Sequence, residues 1–338
     1  MKPSMARIKH YKVIHWWLLV LAISIDSSAQ TSAAASSATA PSDSSMEAGN
    51  APIEVRSAPM EVRYYDRGIK DARHAYKFEL IKKILEVTKP EFGDYTIISF
   101  GEEPSAKRQA VLIGEGKILN LLWASPGTVI AQADVITVPI DILRGLLGYR
   151  VCLINPANFP ASDKLTSLDQ LQIAQGLNWV DIEIYKHNGI EPKQAPTFEA
   201  LFDMLAAKRY QCLPLGADEV MYTWRDQKTK FPFLAIEPDL LIYYDYPIYL
   251  HISKQYPELA KRVKMGLETL QRSGELDRLF KQHHAADVAQ LHLNQRKIFC
   301  LKSPYLPAQG QCEKPLDYPQ IMDAPKTPRT AKPLKSAQ

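Results

Sequence analysis

The chain has 338 residues, with 41 Lys and Arg against 37 Asp and Glu and a formal net charge of +4. The excess sits at the ends: Lys2, Arg7, Lys9 and Lys12 face only Asp26, and the segment from Glu313 onward holds more basic than acidic residues. The middle is close to neutral, which excludes the basic stripe that a nucleic-acid surface needs to replace counterions.

Residues 1–29 read as a cleavable export signal. The four basic residues form an n-region, Val13 to Ile25 forms a short apolar run, and Ser27-Ser28-Ala29 offers a cut before Gln30. His15 and Ser24 interrupt the run, and it is shorter than the ~18 apolar residues that a membrane span requires. The Ser, Ala and Thr of 30–56 supply too little apolar surface to offset chain entropy, so this stretch is expected to be a disordered linker. At the other end, 301–338 is a proline-rich tail.

Between them strand and helix patterns alternate. Met60 to Tyr65 is a predicted strand, His74 to Val87 a helix with Leu80, Ile81, Ile84 and Leu85 inward, and Tyr95 to Phe100 a second strand. Ser105 to Ile118 follows as a helix and Leu119 to Trp123 as a third strand, with Val135 to Ile140 after it. A second series begins with strand Arg150 to Ile154 and predicted helices at Leu165 to Gln175 and Trp179 to His187. Phe198 to Leu215 then gives an amphipathic helix running into a short buried strand, and Gly216 turns the chain toward another helix start. Leu234 to Ile236 and Tyr246 to Ile252 are further strands. Pro257 opens a long helix that Gly274 stops, and Leu276, Leu279 and Phe280 continue helically. Helix, buried strand and helix in close succession predict parallel α/β sheets, and two such series predict two lobes with a ligand cleft between them.

The four cysteines, Cys152, Cys212, Cys300 and Cys312, would enter an oxidising compartment. Cys300 and Cys312 flank a loop with Pro304, Pro307 and Gly310, and a disulfide is expected there. Cys152 and Cys212 lie inside apolar strands, where a bridge and two buried thiols are equally compatible with the pattern. His283, His284 and His292 fit no metal-ligand spacing and are read as helix-end histidines. No cofactor motif is present, since Gly114-Glu115-Gly116 lacks the third glycine and preceding strand of a dinucleotide loop.

The block YPIYLHISKQYPELAKRVKMGLETLQRSGELDRLF (246–280) resembles the closing segment of bacterial extracellular solute-binding proteins of the amino-acid-binding type. FEALFDMLAAKRYQC (198–212) resembles that family's helix, basic turn and strand unit, and RGLLGYRVCLI (144–154) and GLNWVDIEIYKHNGI (176–190) are similar to an uncharacterised secreted branch. The resemblance implies an α/β, two-lobed type II periplasmic binding fold with two crossovers. Lobe one would be 57–143 with 242–300, and lobe two 144–241. It also implies a periplasmic monomer that binds a small-molecule ligand without a cofactor, and a membrane transporter or sensor as partner.

The departures bear on the ligand. Family members place an arginine soon after the third strand to grip the ligand carboxylate, and Ala124 to Asp134 contains none. They place an aspartate where this chain has Gln211. Tyr64, Tyr65 and Arg67 after the first strand, Trp123 and Ser125 after the third, Arg144 at the first crossover and Glu219 after the Gly216 turn are the candidate ligand-binding residues. For each, a plain core or surface role stands beside the binding one. Three readings follow: a non-catalytic binder of a small polar or aromatic-tolerant ligand, an envelope interaction or sensory protein with a vestigial cleft, and a secreted enzyme similar to cyclohexadienyl dehydratase with Glu219 as acid.

Overall fold

The computed structural model describes residues 58–65, 74–101 and 104–306. The signal, the linker, Arg67 and most of the tail lie outside the described residues. Among those described, no helix is long and apolar enough to cross a membrane.

The first lobe opens with strand β1 (Met60–Tyr65), helices α1 (Ala75–Val87) and α2 (Lys89–Phe92), strand β2 (Tyr95–Phe100), helix α3 (Ala106–Glu115), and strands β3 (Leu121–Ala124) and β4 (Val135–Val138). Strands β1 and β2 pair in parallel, with Met60 opposite Tyr95. The fully buried Asn120 joins this pair to β3. Its side chain accepts from Arg63 N (2.7 Å) and donates to Glu61 O (2.8 Å), so one amide stands in for a stretch of backbone ladder. Helix α1 buries the expected Leu80, Ile81, Ile84 and Leu85. Arg262, wholly buried, donates from its guanidinium to Leu85 O in the last turn of α1 and to Gly93 O just past α2, at 2.9 Å each.

The second lobe follows: β5 (Tyr149–Ile154), β6 (Ala174–Gly176), α4 (Asp181–His187), β7 (Lys193–Ala195), α5 (Phe198–Ala206), β8 (Leu213–Gly216), α6 (Val220–Gln227), β9 (Ala235–Ile236) and β10 (Leu240–Tyr243). The chain then returns to the first lobe as β11 (Tyr249–Ser253), which lies between β3 and β4, antiparallel to both. Helices α7 (Pro257–Arg272) and α8 (Glu275–Leu291) and a last strand, β12 (Lys297–Cys300), complete the described chain.

The structure departs from the sequence reading in several places. Leu165 to Gln175 is not a helix. Leu165, Leu168 and Leu171 recur every three residues, and the Ser167–Gln170 capping box closes a single 3-10 turn before β6. The second-lobe sheet is mixed rather than parallel. Strand β5 enters from the hinge and runs antiparallel to β8, β9 and β10, β10 pairs with β12 in parallel, and β6 and β7 form a separate parallel pair. Strand β12 pairs with β10, so 297–300 belongs to the second-lobe sheet and not to the first lobe, and the two crossovers are followed by a third passage. The buried pair Glu237 and Arg296 anchors it: Arg296 donates to Leu291 O (2.7 Å) and Leu240 O (3.0 Å). His283 and His284 sit within α8 and not at its end. His283 pairs with Glu79 at 2.8 Å, and His284 packs against Tyr76 and Phe280.

The structure decides the cysteine pair that the sequence left open. Cys152 on β5 is bridged to Cys212 beside β8, with Cα atoms 5.1 Å apart. Cys300 is itself in a disulfide, but its expected partner Cys312 lies outside the described residues.

At the hinge, Gly148 lets the crossovers meet. A Cβ there would lie 2.3 Å from Tyr244 O. Asp141 ties the same region together by accepting from Leu143 N and Ile248 N at 3.0 Å each and from Gly145 N. Burial pushes its carboxyl up to about 6, against the opposing pull of those N–H donors. Native Asp141 therefore keeps its proton to higher pH than the unfolded chain does. The stability it contributes is complete below the unfolded value near 3.9 and is lost as pH rises through about 6. Between pH 4 and 7 the native chain should lose roughly 2–3 kcal/mol relative to Asp141→Asn, read from urea melts. Parallel pH profiles for the two proteins would refute this.

Candidate functional site

A cleft of about 310 Å³ lies on the second lobe beside the hinge. Its base is Arg150 at the start of β5, and its walls come from the Asn178–Asp181 turn, Phe198, Leu147, Glu219 and the hinge residue Tyr246. Thr128, in the loop after β3, is the first-lobe residue that reaches it.

Strand pairing explains how Arg150 comes to be there. It lies opposite Ile242 of β10 on one side and Gly216 of β8 on the other, so the sheet holds its backbone in place. The side chain is 4% exposed and pairs with Asp181, 8% exposed, at 2.8 Å. Tyr244 and Tyr246 present ring faces to the guanidinium, each centroid 5.1 Å away. Burial alone would weaken the guanidinium's hold on its proton; the Asp181 carboxylate, with Glu219, reverses this and keeps it charged. Arg150 Nε makes no hydrogen bond, and the flanking rings provide its electrostatic partner instead.

Asp181 is fixed in turn. The Tyr244 hydroxyl donates to it, and burial pushes the Tyr244, Tyr246 and Tyr185 hydroxyls up, so all three stay protonated. Asn178, the residue at the rim, adopts a left-handed backbone (φ 67°), which few non-glycine residues do. Trp179 and Phe198 make an aromatic wall, with ring centroids 6.4 Å apart. Glu219 is the residue before α6, and its carboxylate accepts from Gly216 N at 3.3 Å.

The structure brings together only part of the set picked from sequence. Glu219 lines the cleft, and Ser125, buried, sits against the Tyr246 hydroxyl at its edge. Tyr64 and Tyr65 are core residues, 3% and 6% exposed; Tyr64 stacks on Phe78 and Tyr65 meets Phe100. Trp123 is buried against Phe78 and His74. Arg144 is bound to Asp277 at 3.2 Å and lies over the Phe280 ring, as a hinge charge would. Arg67 lies outside the described residues. Gln211 accepts from Gln172 N on the sheet edge, away from the cleft. Asp181 and Arg150 were missed as a pair. An arginine opening the apolar run Val151 to Ile154 is costly to bury unpaired, and that cost was the available signal.

No family model matches the chain, and no curated protein matches it. Solved structures do. The GluR0 ligand-binding core in complex with L-glutamate is 12% identical with a TM-score of 0.49, covering 68% of this chain and 99% of its own. A histidine kinase sensor domain with similarity to periplasmic binding proteins is 16% identical with a TM-score of 0.48, covering 68% and 96%. A structure concerned with glutathione import via GshT and the cystine ABC importer TcyBC of Streptococcus mutans is 13% identical with a TM-score of 0.48, covering 68% and 96%. Each of these is a likeness of fold.

Proposed function

We propose that this chain is an exported solute-binding protein that closes two lobes on a small neutral or cationic organic solute and releases it unchanged. The ligand would pass to a membrane transporter or sensor. The observation that carries this reading is the Arg150–Asp181 pair. It places a charged, ring-flanked pair at the base of a cleft beside the hinge, where domain closure would bury a ligand.

The same pair constrains the ligand. Among the described residues Arg150 is the only Lys or Arg lining the cleft, and both Asp181 and Glu219 act on it, so acidic groups outnumber basic ones beside an aromatic wall. A ligand carboxylate would have to displace Asp181 from a buried contact, which costs more than it returns. Free amino acids are therefore expected to bind weakly. Calorimetric titration with phenethylamine, L-phenylalanine and 3-phenylpropionate keeps the ring constant and varies only the charge. The amine should bind at least about tenfold tighter than the propionate, a difference of ~1.4 kcal/mol, with the amino acid between them. Micromolar binding of phenylalanine would show that Arg150 is released to the ligand. Failure of all three, and of a broad metabolite panel, to bind would overturn the binding reading itself.

A further inference from the structure

We propose that Leu301–Leu306 is a strap joining the two lobes beside the cleft and that Tyr305 is its latch, which must leave Gly127 before the lobes can part.

The strap is fastened to the second lobe along its length. Strand β12 is registered on β10 from Leu240 opposite Lys297 to Tyr243 opposite Cys300. Leu301 N donates to Tyr243 O at 2.8 Å. Lys302 and Asn188, just past α4, exchange a reciprocal pair: Lys302 N donates to Asn188 Oδ1 and Asn188 Nδ2 to Lys302 O, each at 2.9 Å. This is a backbone-like clasp, and it aims the next residues back toward the Asn178–Asp181 turn.

The end of the strap meets the first lobe. The Tyr305 ring lies so close over Gly127 that a Cβ there would be 2.6 Å from it, and Gly127 has a left-handed φ of 87°. Only glycine serves both demands. Gly127 adjoins Thr128, the first-lobe residue of the cleft wall, and Thr128 Oγ1 donates to Ser125 O at 2.8 Å, which holds the loop in shape. On its other side Tyr305 is within electrostatic reach of Asp181, Glu183 and Tyr246. One aromatic ring thus touches the loop of one lobe while sitting beside the charged base of the cleft on the other. A tail that merely packed down its own end would have no reason to reach the opposite lobe.

The contact is not itself a ligand site, and it holds whether or not the cleft binds a solute. Two variants of the full chain separate the ring from the hydroxyl: Tyr305→Ala removes the latch, and Tyr305→Phe keeps the ring. In the ligand-free protein, Tyr305→Ala should speed amide exchange across Gly127 to Ile130 by about tenfold, the expected signature of lost local protection. It should also raise the radius of gyration seen by X-ray scattering, while Tyr305→Phe matches the parent in both. Phenethylamine, mixed by stopped flow, should associate faster with the alanine variant. Unchanged exchange and unchanged scattering in Tyr305→Ala would overturn the latch. If exchange and scattering respond but no titrated solute binds, the latch stands and the proposed function fails.

Discussion

Arg150→Met should destabilise the protein by about 3–5 kcal/mol, because it strands the Asp181 carboxylate in a buried setting. Among the described residues no other Lys or Arg lines the cleft. Arg150 is 4% exposed, pairs with Asp181 at 2.8 Å and fills the space between two tyrosine rings. A flexible apolar side chain would restore the packing but not the charge. Adding Asp181→Asn to the same chain removes the stranded charge, so the double variant should recover part of the loss. This recovery is the informative measurement, because a purely packing role for Arg150 would make the two changes additive. Urea melts of the parent, both single variants and the double variant complete the cycle. A loss under about 1 kcal/mol for Arg150→Met would place the pair among solvated surface bridges and refute the buried-pair account.

Removing the Cys152–Cys212 bridge should have an effect of similar size. The two cysteines are 60 residues apart in sequence, and the chain-entropy relation for a loop of that length gives about 4 kcal/mol. Both are within 1% of full burial, so mild reductant should leave the bridge intact until the second lobe opens. Cys152→Ala/Cys212→Ala is the cleaner comparison, since alanine leaves no orphan thiol. The double variant should unfold at clearly lower urea with the first-lobe core least affected. Peptide mapping without reductant should return the 152–212 pair. Two free thiols there, or a double variant as stable as the parent, would contradict the bridge.

What the sequence made legible were the elements whose signal is local. Strands β1 and β2 match their predicted limits, and α1 needed only the i, i+3, i+4 spacing of Leu80, Ile81, Ile84 and Leu85. The failures share one cause, a dependence on partners distant in the chain. Strands β10 and β12 are four-residue segments that become strands only by pairing with each other and, for β10, with β5. The Cys152–Cys212 bridge follows from the β5–β8 register, which no spacing rule encodes. The site failed in the same way. Tyr64 and Trp123 have the chemistry of ligand contacts, yet Phe78 on α1 packs over both. Arg150 and Asp181 are 31 positions apart, and only the turn into α4 brings them together.

The third passage of the chain changes what kind of joint this is. Strands β5, β10 and β12 lie side by side in the second-lobe sheet, and each continues into a segment that passes to or from the first lobe. Three crossings therefore attach in a row at the ~4.8 Å spacing of paired strands, as a ribbon would rather than a pair of threads. A ribbon bends readily across its width but resists being twisted about its length. Glu237 and Arg296 stiffen its outer edge. Opening should therefore follow a single angle, with little rolling of one lobe against the other, and every intermediate should differ from its neighbours by a rotation about the same line.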